Sequence, residues 1–208
     1  AYLAECPSRS FSLRNLGSRL ESWLREHPGF AGEKLDLALD MIRLEWAHIE
    51  AFDERREQTL GPEDLLELGP ELRIALQPYV QLLELRYPVD ELRIHVNRGS
   101  EEHGMTSNAA GAKKRPSVRK ISQLKPETIF LAVHRANFDV YYRRLVREEF
   151  QVLTAFRGGE PLGAAIAGVT ESSALPLEQL RQRTEAWFAA WAQMGWLCRP
   201  RAHEGDTA

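Results

Sequence analysis

Cysteine is scarce: the 208 residues hold only Cys6 and Cys198, near opposite ends of the chain. Neither has the close-spaced Cys or His neighbours that structural zinc needs, so a disulfide scaffold and a zinc ribbon are both excluded. The pair reads as two reduced thiols of a cytoplasmic protein. Long apolar runs are missing too. The longest, Leu162 to Val169, is broken by Gly163 and Gly168, far short of the roughly 18 to 20 residues that span a bilayer. No glycine-rich phosphate loop, no Gly-x-Ser-x-Gly elbow and no His-Glu-x-x-His pair occurs, so nothing in the sequence argues for an enzyme. A leading Met is also lacking. The chain opens on Ala1-Tyr-Leu-Ala-Glu-Cys-Pro7, which reads as the last turn of a helix stopped by proline and predicts an upstream segment.

An excess of one charge sign is absent as well. The net charge is −3, and the balance shifts along the chain: residues 1–96 carry 18 acidic and 11 basic side chains, 97–125 carry 2 and 7, and 126–208 carry 10 and 9. A mildly acidic globule with one short basic stretch lacks the basic face with which folded elements neutralise phosphates, which argues against general nucleic-acid affinity. The hydrophobic fraction is 43% and the charged fraction 27%, the proportions of an ordinary globular protein.

The spacing of apolar residues predicts the elements. Leu13, Leu16, Leu20, Trp23 and Leu24 recur at helical spacing after the Ser-rich turn 8–12, and His27-Pro28-Gly29 ends that helix. From about Glu33 to Glu54, Leu35, Leu39, Ile42, Trp46 and Ile49 form one stripe, widened by Ala38, Met41, His48 and Phe52. Gly61-Pro62 opens a short helix through Leu68. Leu72 to Tyr87, interrupted by Pro78, reads as two extended pieces, and Pro88 starts a short helix to about His95. Asn97 to Lys125 has almost no large apolar residue and reads as a flexible basic loop between subdomains. Period-two alternation from Thr128 to Leu145, with Asn137 near a turn, predicts an antiparallel hairpin. Helices follow near Arg147 to Phe156, Pro161 to Ala167 and Pro176 to Gly195. The last carries Leu177, Leu180, Thr184, Trp187, Phe188, Trp191 and Met194 on one face. The expected fold is therefore α+β, mostly helical, with a small antiparallel sheet formed by Leu72 to Tyr87 and a hairpin near 128–145. Its parts are a helical subdomain at 1–96 with short strands at its end (residues 1–6 closing the upstream helix), the loop at 97–125, and the hairpin with C-terminal helices at 126–208.

Few residues carry chemistry. Glu45 and His48 share a helix face at the spacing of carboxylate-bridged di-iron bundles, but such a site needs a second copy and two further glutamates. The expectation is no metal and no cofactor, with His48 a half-buried histidine beside Trp46 and Phe52. An enzyme with a metal at Glu45 and His48 is the minor alternative. Glu91 and His95 are four apart on the short helix. Lys113, Lys114, Arg115, Arg119 and Lys120 could meet an anionic partner, although no aromatic accompanies them for base stacking. Duplex DNA binding through them should be weak and salt-sensitive. Trp187, Phe188 and Trp191 read as core. The hairpin is the main interaction element, because an open strand edge accepts an extended peptide. Its candidate binding residues are Phe130, Ala132, His134, Arg135, Tyr141, Tyr142 and Arg143.

With these residues in view, the chain resembles a bacterial family that carries a DNA-binding-domain label. Several members of that family act as partner proteins of multinuclear non-heme iron enzymes in bufferin and methanobactin types of peptide system. The runs that carry the resemblance are Pro7-Ser-Arg-Ser-Phe-Ser-Leu-Arg-Asn-Leu-Gly17, Arg43-Leu-Glu-Trp-Ala47 with Glu50-Ala-Phe52, Leu82-Leu-Glu-Leu-Arg-Tyr-Pro-Val89, and Val133-His-Arg135 followed by Tyr142-Arg-Arg-Leu145 and Glu149-Phe150. Their order and spacing cover most of the chain and match the family's C-terminal part. The resemblance implies no catalytic residue here. It implies a partner protein that helps present a ribosomally made precursor peptide to an iron-dependent modifying enzyme, with DNA binding confined to an N-terminal region not included in the chain. A DNA-binding regulator, its hairpin part of a winged-helix-like unit, is the alternative. The stretch from Asn97 to Lys125 departs from the family, whose connection there is usually shorter.

Overall fold

A computed structural model describes residues 1–8, 13–60, 69–93 and 124–200. The helix expected at 61–68, His95 and the basic residues Lys113 to Lys120 lie outside these. No helix among the described residues is long and apolar enough to cross a membrane. The chain is α+β, helices with two small sheets among the described residues, and it divides into two compact units. One joins Ala1–Ile49 to Leu83–Ile129, and the other joins Glu50–Leu82 to Phe130–Ala208.

The first unit begins with α1 (Tyr2–Glu5), a 3-10 turn (Leu13–Gly17) and α2 (Leu20–Glu26). As the sequence predicts, α2 stops at His27, and Pro28 opens a further 3-10 turn. Trp23, Leu24 and Leu39 form a small core with Tyr2, Leu20 and Ile42 around it. Trp23 Nε1 donates to Glu5 Oε2 at 2.9 Å and the Tyr2 hydroxyl donates to the Leu16 carbonyl, which holds α1 on α2.

Helix α3 (Leu35–Asp53) is the long helix anticipated, but its buried face is rotated from the expected stripe. Leu37, Asp40, Leu44, Ala47 and Ala51 are buried together with Leu39, while Ile42, Trp46 and Ile49 are half-buried. A carboxylate in the middle of the buried face breaks the apolar pattern that hydropathy follows. The physical reason for Asp40 is on the chain downstream: its Oδ2 accepts the backbone N–H groups of Arg86 at 2.6 Å and Tyr87 at 3.0 Å. Residues 89–93 are helical, after Pro88.

The second unit contains β1 (Ala75–Leu76), β3 (Ile129–Ala136), β4 (Asp139–Leu145) and β5 (Leu197–Cys198), with β2 (Gln81–Leu85) starting in it. The helices α4 (Arg147–Arg157), α5 (Leu162–Ser172) and α6 (Leu177–Gln193) complete it. The larger sheet has the order β2-β3-β4. Pro78 separates two extended pieces as expected, yet only the second joins the hairpin. The first pairs antiparallel with β5, Ala75 opposite Cys198 and Leu76 opposite Leu197. A strand as short as Leu197–Cys198 shows no alternation, so hydropathy could not reveal it. Trp191, Trp196, Phe156, Leu153 and Ile74 lie at the centre of the core, each at most 1% exposed. Leu177, expected on the inner face of α6, is exposed at that helix's first residue.

Candidate partner-binding site

The hairpin closes on Asn137 and Phe138, with Ala136 opposite Asp139 and Phe130 opposite Leu145. Asn137 has φ 57° and Phe138 does not take positive φ, in a two-residue turn between the strands. Asn accepts this conformation more readily than most residues. With so tight a turn, Ala136 and Asp139 must exchange both backbone hydrogen bonds, and the antiparallel ladder then alternates. Tyr141 and Arg143 therefore bond through their backbones to His134 and Ala132. The backbone N–H of Val140 points away from β3.

Strand β3 is central and buried on both sides. Ile129, Leu131 and Val133 are buried in one row, and Ala132 and His134 in the other, with Phe130 half-buried at 4.9 Å from the Phe150 ring. Phe130, Ala132 and His134 therefore form no outward row, and neither does the opposite parity. Tyr141 stacks on His134 at 5.8 Å, and His134 meets Trp196 edge-on at 4.9 Å. Arg135 is committed to the end of α3: its guanidinium donates to the carbonyls of Phe52 and Glu54 and lies over the Tyr79 ring. Arg143 donates to Glu149 Oε1 at 2.9 Å and lies over the Trp196 ring. Tyr142 is half-buried.

Glu149 joins this network to the core. Its buried carboxylate also accepts Trp191 Nε1 at 3.0 Å. Burial pushes its pKa up, against the lowering effects of Arg143, Trp191 and the Val146 backbone. Val146 is the N-cap of α4, so Glu149 stands where a capping-box acid reaches back to the helix start. This was the one sequence signal that could have singled it out. Burial pulls His134 down, and the charge of Arg143 adds to that.

The exposed part of the hairpin is β4 and its two ends. Phe138 is 87% exposed, Tyr141 48% and Val146 43%. Among the described residues β4 is a terminal strand of its sheet. These are the features an extended peptide needs: an edge for the main chain and apolar side chains beside it.

The other candidates are not brought together with it. Glu45 is ion-paired with Arg93. His48 is held below the usual imidazole range by burial first and by Arg93 second, with Glu45 opposing. Among the described residues no three His, Cys, Asp or Glu side chains gather as a metal would require. Glu91 is exposed, Cys6 is half-buried and Cys198 buried, neither in a disulfide. Trp187 and Trp191 are buried and stacked, with Phe188 packed on Trp191 at 5.0 Å. No protein-family model matches the chain, and no curated protein is similar enough to count as a match.

Proposed function

We propose that this chain is a non-catalytic partner protein of the cytoplasm that presents a ribosomally made precursor peptide to an iron-dependent modifying enzyme. The observation that carries the reading is β4, a terminal strand of its sheet among the described residues, with Tyr141 exposed on it and Phe138 and Val146 exposed at its two ends. Main-chain pairing at a strand edge gives affinity without demanding one sequence, which suits a protein that must hold a peptide extended while another protein modifies it. The polar groups of the hairpin support the same reading. Arg135, Arg143 and Glu149 are occupied in holding the strands to the helices, so they act as scaffold and the exposed rim makes the contact.

The test is calorimetric titration with a candidate precursor peptide encoded near the gene, on wild type and on Val140→Pro. Proline at 140 removes an N–H that points away from β3 and is tolerated at such a position. Loss of binding with the fold retained supports the reading. Tight binding unchanged by Val140→Pro removes β4 from it, and salt-resistant, sequence-selective binding of duplex DNA would favour the regulator.

A further inference from the structure

Between β1 and the end of α4 the second unit contains a cavity of about 330 Å³ that the hairpin does not share. That is the lower end of the range of small-ligand pockets. Its walls include Leu76, Pro78, Val80, Gln81, Phe156 and Arg157. Val80 and Phe156 are no more than 1% exposed and make an apolar floor. Gln77 also lines the cavity, but both ends of its amide are spent on the Glu57 backbone at 2.8 and 2.9 Å.

Two features give the cavity a polarity. The Gln77 N–H donates to the Trp196 carbonyl at 2.8 Å, and Leu76 lies opposite Leu197. By the alternation of an antiparallel ladder, the N–H and C=O of Leu76 then point away from β5, toward the open side of β1. At the other end stands Arg157, whose guanidinium donates to the Val80 carbonyl. That bond fixes the position of a guanidinium fork with five N–H groups. None of the lining residues is acidic. The acidic group whose charge reaches Arg157 is Glu50 of α3.

We propose that this cavity binds the C-terminal carboxylate of a peptide. The carboxylate pairs with Arg157, the main chain of the preceding residue runs along Leu76, and the final apolar side chain rests on Val80 and Phe156. A planar fork matches a carboxylate in two-point contact, which a neutral amide cannot reproduce. The backbone groups of Leu76 favour a peptide over a simple acid, because an edge strand offers alternating donor and acceptor to another main chain. This site is separate from β4 and does not depend on it.

The experiment follows amide signals of the isotope-labelled full chain during titration with acetyl-Gly-Ala-Leu, the same peptide amidated at its C-terminus, and N-acetyl-leucine. The free-acid tripeptide should shift Leu76, Gln81 and Arg157 saturably with Kd on the order of 1 mM. The amidated form should bind at least about tenfold more weakly, the usual effect of losing a charge-assisted bond. Arg157→Gln should abolish the difference, and Arg157→Lys should restore part of it. Ala75 also lines the cavity, so Ala75→Leu, which adds bulk at the wall without altering Arg157, should weaken the tripeptide and serves as the second test if the Arg157 variants misfold. Equal affinity for acid and amide, shifts confined to other residues, or no saturable shift overturns the proposal. N-acetyl-leucine binding as tightly as the tripeptide overturns the peptide assignment.

Discussion

Asp40 accepts two backbone N–H groups 46 and 47 residues away while only 3% exposed, and it fixes where the chain turns after β2. Asp40→Ala leaves two donors without an acceptor and should cost about 2 to 3 kcal/mol. Asp40→Asn keeps an acceptor oxygen and removes a charge whose burial is unfavourable, so it should cost less. Urea unfolding of the two variants checks the order. The histidines set the pH dependence. His134 and His48 are both held below their usual 6.5, chiefly by burial. Between the lowered values and 6.5 the unfolded chain therefore binds more protons than the folded one, so stability rises with pH through that window and is lost as pH falls. Asp40 and Glu149 are shifted upward, chiefly by burial, and act in the opposite sense from their usual carboxyl values upward. Urea midpoints at about pH 5 and pH 7.5 should show the rise, with a smaller slope in His134→Gln. The partners of Asp40 are not visible in sequence, because those contacts join segments 46 and 47 residues apart. The Glu45 and His48 spacing was visible, but not the Arg93 that takes the carboxylate.

At the scale of elements, the hairpin was the clearest expectation, since alternation over Ile129 to Leu145 needs no partner to be recognised. What alternation did not decide was which row faces outward. The answer is neither row of β3, because β2 and β4 flank it and both its faces are covered. The same limit explains α3, where period alone selected Leu35, Leu39 and Ile42 and missed the acid at the centre of the buried face. β1 and β5, of two residues each, fall below any periodic signal. The register makes a sharp contrast between neighbouring positions. Tyr141→Pro deletes an N–H that bonds to β3 and should destabilise the fold by about 3 kcal/mol or more, whereas Val140→Pro should cost much less. Thermal melts monitored by near-ultraviolet circular dichroism would show the difference, and a larger loss for Val140→Pro would mean the ladder runs in the other phase.

For the whole molecule, the α+β class was legible because helical and period-two patterns occupy different segments. The arrangement of the units was not. Each unit joins stretches distant in sequence, and composition had marked only the stretch 97–125, nearly all of it outside the described residues. The proposed role rests on the resemblance carried by runs such as Arg43-Leu-Glu-Trp-Ala47. The residues themselves supply a strand edge and no reactive constellation that sequence spacing could identify. The measurement that bears most directly on the proposed role is calorimetry of a candidate precursor peptide encoded near the gene, titrated into wild type, Val140→Pro and Tyr141→Ala under one buffer condition. The account predicts saturable binding to wild type, a loss of at least about tenfold for Val140→Pro with its melting transition retained, and a smaller loss for Tyr141→Ala. No binding to the wild-type chain, or equal binding to all three folded proteins, would contradict it.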